Sequence, residues 1–239
     1  MTAGLLVSNL SVSYGDVPVL TNVSMSAEDG SITAVIGSNG AGKTTLLRSL
    51  SGLLKPRKGS VRIGETELSG SKPLDFVNAG IAHVPEGRRL FAGMTVEDNL
   101  LMGAFARNAA HAELQRDLER VYATFPKLAE RRRQDAVSMS GGEQQMCAIG
   151  RGLMSRPRVM MIDELSLGLA PVAVDFLVES LKTISGDGVG IIVVEQDVAV
   201  ALDLAKHVVV MDRGRVSKAG SSKEIAQDQS IRAAYLGVD

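Results

Sequence analysis

A glycine-rich segment from Gly37 to Thr44 constrains the fold of this chain more than any other feature of its sequence. The segment fits the pattern G-x-x-x-x-G-K-[ST] of a phosphate-binding loop, and its residues are Gly37, Ser38, Asn39, Gly40, Ala41, Gly42, Lys43 and Thr44. The apolar run Ile32 to Ile36 predicts a buried strand before the loop, and Thr45 to Leu54 predicts a helix after it. A glycine-rich turn that binds nothing is the alternative, and the strand, the Lys-Thr pair and the helix together disfavour it.

The residue types in this loop suit a polyphosphate. Glycines let the backbone bend so that successive N–H groups face the phosphates, and the start of the helix adds the positive end of its dipole. Lys43 is predicted to reach the β- and γ-phosphates, and the Thr44 hydroxyl is predicted to hold Mg²⁺.

Length and composition narrow the remaining possibilities. The 239 residues suit one α/β domain, and a net charge of −1 argues against a general nucleic-acid binder. Cys147 is the only cysteine, which excludes an internal disulfide and favours a reducing cytoplasm. Met1 to Leu10 lacks the basic residue of a signal peptide, and no apolar run reaches the roughly 18 residues that a membrane span needs. We therefore expect a soluble chain that something else anchors if it works at a membrane.

The rest of the chain predicts one domain with an insertion. Apolar and polar residues alternate at 5–14 and 17–27, which predicts two strands joined by a turn. Two more strands are predicted at 60–63 and 81–84. A helical subdomain is predicted at about 95–155, because the stretch 104–130 is rich in alanine, leucine, glutamate and arginine at helical spacing. Continuous apolar runs at 159–162 and 191–194 suit a parallel sheet buried on both faces. The segment 208–216 carries a turn at Arg213-Gly214.

Two further motifs bear on chemistry. Ser140, Gly141, Gly142 and Glu143 precede a predicted helix at 145–154. The serine and glutamate fit a capping box, which would make the motif a helix start. The two glycines at a helix N-terminus also suit an anion-binding site. Taken alone, the motif favours neither interpretation over the other. Further on, Val159 to Glu164 is a predicted strand that ends in two adjacent carboxylates. Such carboxylates repel each other unless a cation or substrate lies between them.

These motifs, in this order and at these separations, resemble those of the ATP-binding cassette (ABC) family. The resemblance covers Leu5 to Leu236. It implies a RecA-like α/β core with an antiparallel β edge and an inserted helical subdomain at about 95–155, all in a single domain over residues 1–239. It further implies that two cassettes sandwich two ATP molecules, each phosphate-binding loop facing the signature sequence Ser140 to Gly142 of the other cassette.

The resemblance also implies a role for each site residue. Asp163 and Thr44 would hold Mg²⁺, and Glu164 would act as the general base toward the attacking water. Tyr14 matches the aromatic residue that stacks on adenine. The residues expected to contact ATP are Tyr14, Gly37, Ser38, Asn39, Gly40, Ala41, Gly42, Lys43, Thr44, Thr45, Glu86, Ser140, Gly141, Gly142 and Glu143.

Three positions depart from the common cassette pattern. Glu86, in Pro85-Glu86-Gly87-Arg88, stands where a glutamine usually contacts Mg²⁺ and the permease, and two orientations stay open for it: toward the metal or toward the permease. Gln196 stands where a switch histidine is usual, and its amide can orient a phosphate or water but cannot carry a proton. Leu165 replaces the proline that commonly follows the catalytic glutamate, which removes a backbone constraint and puts the efficiency of hydrolysis in question.

The first two departures resemble one branch, the second ATP-binding subunit of bacterial branched-chain amino-acid importers. That branch implies an ATPase on the cytoplasmic face of the membrane, bound to permease subunits, to a sister ATPase or a second copy, and indirectly to an external solute-binding protein. Nucleic acid is not an expected partner. A urea or amide importer, an efflux pump and a soluble cassette that acts on ribosomes or DNA are the alternatives.

Overall fold

The computed structural model describes residues 3–233. Leu236, the last residue of the family resemblance, and the outermost residues of the predicted 1–239 domain lie outside that range. The strands are β1 Ala3–Tyr14, β2 Val17–Glu28, β3 Ile32–Ile36, β4 Lys58–Ile63, β5 Thr66–Glu67, β6 Ile81–Val84, β7 Val159–Asp163, β8 Gly190–Glu195, β9 His207–Asp212 and β10 Arg215–Ser221. The helices are α1 Lys43–Leu50, α2 Pro73–Asn78, α3 Val96–Met102, α4 His111–Thr124, α5 Pro126–Glu130, α6 Gly141–Leu153, α7 Pro171–Gly186, α8 Val198–Leu204, α9 Ser222–Gln227 and α10 Gln229–Ile231, with a 3₁₀ turn at Ala136–Ser138.

The central sheet has the strand order β10-β9-β3-β8-β7-β6. Strands β6, β7, β8, β3 and β9 run parallel, and β10 pairs antiparallel with β9. All residues of β3, β7 and β8 are buried, which is why these strands have continuous apolar sequences rather than alternating ones.

This sheet separates two hydrophobic cores. Alternate residues of β8 point to opposite faces, so Ile191 and Val193 join one core while Ile192 and Val194 join the other. The first core is filled by helices α3 to α8, and the second by α1, α2 and a four-stranded antiparallel sheet of order β2-β1-β4-β5. The antiparallel β edge and the mixed α/β core agree with the predicted fold class.

The helices correct two sequence predictions, one between β6 and β7 and one in α1. The stretch predicted as helical from 104 to 130 contains no helix before His111, because the chain turns after α3. Gly103 packs so close to α6 that a Cβ on it would lie 1.8 Å from the Arg151 carbonyl oxygen, and α3 ends there. The helix predicted to reach Leu54 ends at Leu50, because Gly52 adopts a left-handed conformation with φ 73°.

Among residues 3–233, no helix combines the length and the apolar character that crossing a bilayer requires.

Candidate functional site

The parallel strands bring four loops to one edge of the central sheet. In open α/β sheets, ligands bind beyond the carboxyl ends of the strands. Here the neighbouring strands β3, β8, β7 and β6 end, in that order, at Ile36, Glu195, Asp163 and Val84. The glycine-rich loop follows β3, and the predicted catalytic and metal-binding residues follow β7 and β8. Residues from four distant parts of the sequence therefore meet at one edge.

The glycine-rich loop has the backbone geometry that phosphate binding requires. Gly40 and Gly42 have φ values of 81° and 102°, in the left-handed region that favours glycine. A Cβ on Gly42 would lie 2.7 Å from the Leu20 side chain, so the position also needs glycine for space. Gly42 precedes α1 without a side-chain cap, which leaves the first N–H groups of the helix free to face an anion.

The Lys43 side chain folds back onto its own loop. Its Nζ donates to the carbonyl oxygens of Gly37 at 2.7 Å and Ser38 at 3.2 Å. Burial lowers the pKa of Lys43, and nearby carboxylates, Glu164 foremost, oppose that shift. A charged donor that is 7% exposed and bonded only to main-chain carbonyls is ready to exchange them for a polyphosphate.

Asp163 ends β7 as a buried carboxylate. The residue is 2% exposed, and its Oδ1 has no hydrogen-bond partner in the part of the chain that the structure describes. Burial, the negative charge of Glu164 and that of Glu86 raise the pKa of Asp163 from its ordinary value of 3.8 to about 6. A buried oxygen without a partner, beside the Thr44 hydroxyl, is what a hard divalent cation requires.

These residues fit Mg²⁺ rather than a metal held by the protein alone. Within residues 3–233, no group of three or more histidine, cysteine or acidic side chains could enclose a metal ion. Magnesium typically takes one or two protein oxygens and completes its shell with water and substrate phosphates. Thr44 and Asp163 supply protein oxygens of this kind.

Glu164 follows Asp163 in a strained conformation. Its φ is 55°, unusual for a residue with a side chain, and its N–H donates to the Val194 carbonyl oxygen at 2.9 Å. The Gln196 side-chain amide donates to the Glu164 carboxylate. The two residues predicted to act together on water are therefore in direct contact, although they lie on different loops.

Glu86 lies on the same side of the site as the predicted metal ligands. It lines a cavity of about 480 Å³ together with Thr44, Asp163 and His83. Burial lowers the pKa of His83 to about 4, and its Nε2 is buried without a hydrogen-bond partner among the described residues. Of the two orientations left open for Glu86, this arrangement favours the one toward the metal.

Tyr14 lies at the end of β1 and is 42% exposed. Its hydroxyl accepts a hydrogen bond of 3.3 Å from Arg48, which belongs to α1. The ring is therefore held beside the helix that follows the phosphate-binding loop, with surface left for a planar ligand.

The signature residues form a separate site. Ser140 and Glu143 make the predicted capping box: the Glu143 carboxylate accepts from the Ser140 N–H at 3.0 Å and from its hydroxyl at 2.7 Å. Arg131 binds the other Glu143 oxygen at 3.1 Å. Gly141 and Gly142 line a cleft with the start of α7, and the cavity beside Asp163 contains no signature residue. Both interpretations of this motif, helix cap and exposed anion site, are compatible with this geometry.

Two residues to which the sequence analysis assigned no role contact the site or its flanking loop. Glu195 is a buried carboxylate at the end of β8, and burial raises its pKa. Arg151 of α6 donates to the carbonyl oxygens of Arg88 at 3.0 Å and Arg89 at 2.7 Å. The only sequence signal for Glu195 is an acid directly after a continuous apolar run, while a helical arginine such as Arg151 gives none.

Comparison with known proteins decides the family. The ABC transporter family model matches residues 20–166, more than half of the chain. The chain belongs to the ABC transporter family. It is an ATP-binding cassette with the α/β fold and ATPase activity that its motifs predict.

Individual relatives agree with this assignment over nearly their full lengths. The high-affinity branched-chain amino acid transport ATP-binding protein BraG of Pseudomonas aeruginosa is 42% identical, over 95% of this cassette and 97% of BraG. The probable branched-chain amino acid transport ATP-binding protein LivF of Archaeoglobus fulgidus is 30% identical, over 96% of the cassette and 97% of the relative. A solved ATP-binding subunit of an ABC transporter superposes with a TM-score of 0.83 at 30% identity, covering 98% and 96% of the two chains.

Proposed function

We propose that this cassette is the ATP-hydrolysing subunit of an importer for branched-chain amino acids. The observation that carries the proposal is the 42% identity to BraG over nearly the whole of both chains. The proposed unit is one domain over residues 1–239, with a helical subdomain at about 95–155.

In this proposal, ATP binds across the carboxyl edge of the central sheet. Tyr14 stacks on the adenine, and the loop from Gly37 to Thr45 surrounds the phosphates. Lys43 leaves the carbonyl oxygens of its own loop and binds the β- and γ-phosphates. Thr44 and Asp163 hold Mg²⁺, with Glu86 beside them. The ion supplies electrostatic stabilisation of the negative charge on the phosphate oxygens.

Glu164 is the proposed general base. It accepts a proton from water as the water oxygen bonds to the γ-phosphorus. The bond from that phosphorus to the oxygen bridging it to the β-phosphate then breaks, leaving ADP and inorganic phosphate. Gln196 already donates to Glu164 and keeps the carboxylate directed toward the water, without carrying a proton itself.

A complete site needs a second cassette. The signature residues Ser140 to Glu143 lie on a different cleft from Asp163, so within one chain they do not face the phosphate-binding loop. We propose that they contact the γ-phosphate of ATP bound by the opposite cassette, which is a sister ATPase or a second copy. ATP binding then closes the dimer, and hydrolysis reopens it.

The permease is proposed to dock beside the Glu86 loop, on the cytoplasmic face of the membrane. A cleft of about 550 Å³ opens there, lined by Phe91, Met102 and Phe105 and flanked by Arg89. Phe91 and Phe105 are exposed large apolar side chains, which a protein surface exposes mainly where a partner covers them. An external binding protein would deliver the amino acid to the permease rather than to this chain.

The proposed catalytic role is tested with Glu164→Gln. We expect the variant to bind ATP normally and to lose about 10²–10⁴-fold in kcat, because it cannot accept the proton. It should also accumulate as a closed dimer with ATP, measurable by size-exclusion chromatography. Glu119→Gln, an exposed position on α4, is the control and should behave like the unmodified protein. A Glu164→Gln variant that hydrolyses ATP at the original rate would remove Glu164 from this role.

The solute is tested separately by uptake. Cells whose own copy carries Glu164→Gln should lose ATP-dependent uptake of labelled leucine, isoleucine and valine at low concentration. Loss of urea uptake with unchanged leucine uptake would instead favour the amide-importer alternative.

A further inference from the structure

Glu195 joins the ends of two neighbouring strands through one buried carboxylate. It is 1% exposed and is the last residue of β8. Its Oε1 accepts from the Ser166 N–H at 2.8 Å, and its Oε2 accepts from the Ser166 hydroxyl at 2.9 Å. Its Oε2 also accepts from the Gln196 N–H at 3.2 Å. Three donors, from the loops that follow β7 and β8, thus converge on one buried carboxylate.

We propose that Glu195 is a positioning residue that holds Glu164 and Gln196 in register for catalysis. This inference rests on the proposed role of Glu164. The chain after β7 is tied to β8 on both sides of Leu165: Glu164 donates its N–H to Val194, and Ser166 donates twice to Glu195. A third link joins the side chains of Gln196 and Glu164. Together these bonds form a clasp between the ends of β7 and β8.

The clasp restrains the backbone beside Glu164, where this chain lacks the proline found in many related cassettes. Proline fixes φ at about −65° and is common after the catalytic glutamate of related cassettes, whereas this chain has Leu165, which is buried in the core. Glu164 nevertheless keeps a left-handed φ of 55°. A strained residue persists when its surroundings over-determine it, and Glu195 provides two of the bonds that do so here.

A carboxylate suits this task better than its amide. An ionised carboxylate only accepts hydrogen bonds, and the groups that face Glu195 all donate: the Ser166 N–H and hydroxyl and the N–H groups of Gln196 and Asp197. A glutamine would keep one accepting oxygen for the Ser166 N–H but would turn its NH₂ toward another donor. The serine hydroxyl can rotate to accept from that NH₂, whereas the Gln196 N–H cannot adapt. Glutamine should therefore preserve part of the clasp and alanine none of it.

The test compares Glu195→Ala and Glu195→Gln in the full chain, with two measurements. Hydrogen exchange at the Ser166 amide reports the clasp directly, and steady-state ATPase kinetics report its effect on catalysis. Asp197→Ala is the matched control, because the Asp197 side chain lies in the same loop and accepts from the N–H groups of Ala199 and Val200. The substitution leaves in place the Asp197 main-chain N–H, which also faces Glu195. If Glu195→Ala does not fold, Ser166→Ala removes one bond of the clasp at a half-buried position.

For Glu195→Ala we expect faster exchange at Ser166 and a kcat lowered by about 10–100-fold, the effect of a small misplacement of a catalytic group, with KM for ATP unchanged. Glu195→Gln should recover part of kcat and of the protection, and Asp197→Ala should change neither. Ser166→Ala should lower kcat by less than Glu195→Ala. An unchanged kcat in Glu195→Ala despite faster exchange would overturn the inference, as would equal losses in Glu195→Ala and Asp197→Ala. Failure of the proposed function looks different, because Glu164→Gln would then remain active.

Discussion

Asp163 illustrates how a single residue can lower stability for the sake of a ligand. It is buried near the carboxylates of Glu164 and Glu86, which outweigh Lys43 and Thr44, and one of its oxygens has no partner among the described residues. Because its pKa is raised to about 6, the folded protein holds a proton on Asp163 at pH values where the unfolded chain has released it. The contribution of this group to the free energy of unfolding therefore falls as the pH rises from about 4 to 6 and stays low above that window.

We predict that Asp163→Asn stabilises the nucleotide-free, Mg²⁺-free protein at pH 7. The shift from 3.8 to about 6 corresponds to about 3 kcal/mol at most, since one pKa unit is worth about 1.4 kcal/mol. The gain should shrink as the pH falls from 7 to 5, because the aspartic acid then becomes protonated. Urea unfolding at both pH values measures it, with the fully exposed Asp16→Asn as control. A destabilised Asp163→Asn variant at pH 7 would show that the carboxylate has a partner when the ligand is absent.

The residues proposed to contact phosphate and metal can be picked out from the sequence because their spacing is local. Lys43 and Thr44 lie in one loop, and Asp163 with Glu164 ends one strand. Glu195 was not predictable, because its partner Ser166 is 29 residues away. Only the adjacency of β7 and β8 brings the two together. Leu165 shows the same limit: the sequence revealed the loss of a proline, while the burial of the leucine side chain appears only in the folded chain.

At the scale of elements, Arg151 connects α6 to the loop that carries Glu86. The loop residues Arg88 and Arg89 both have positive φ, 63° and 47°. Arg151 donates to both of their carbonyl oxygens, and its guanidinium lies 5.2 Å from the centre of the Phe91 ring. Because α6 begins with the signature sequence, this arginine links the signature helix to the loop proposed to face the permease.

We predict that Arg151→Lys destabilises the protein by about 1.5–3 kcal/mol, because an ammonium group cannot reproduce the planar fork that binds two carbonyls. Hydrogen exchange should also increase in the segment around Arg88 and Arg89. Denaturant unfolding measures the first effect, and Arg116→Lys on the exposed face of α4 is the control. If Arg151→Lys matches that control in both measurements, the arginine does not hold the loop.

Elements were predicted well where burial on both faces leaves a clear pattern. Strands β7 and β8 follow from continuous apolar runs, and α6 follows from its capping box. The chain from 104 to 110 was predicted as helix and is not, because a contact between Gly103 and α6 ends α3. Helix α7 went unpredicted, although it is the longest helix within residues 3–233. Amino-acid composition alone did not show that 104–110 is not helical or that α7 is.

At the scale of the whole molecule, the cassette carries the phosphate-binding half of one proposed ATP site and the signature half of another. The edge of the central sheet presents the phosphate-binding loop and Glu164, and the start of α6 presents the signature. In the proposed mechanism, an isolated chain binds ATP with the first half, and efficient hydrolysis requires the second half from another cassette. The function proposed here is therefore a property of an assembly, and the central claim concerns what that assembly contains.

The most direct measurement is purification of the tagged chain from detergent-solubilised native membranes with ATP and Mg²⁺, followed by identification of the proteins that accompany it. The account predicts two permease subunits and a sister ATPase, enriched further when the chain carries Glu164→Gln and the dimer stays closed. Recovery of a homodimer alone, or of ribosomal or DNA-bound material in place of permeases, would contradict the account.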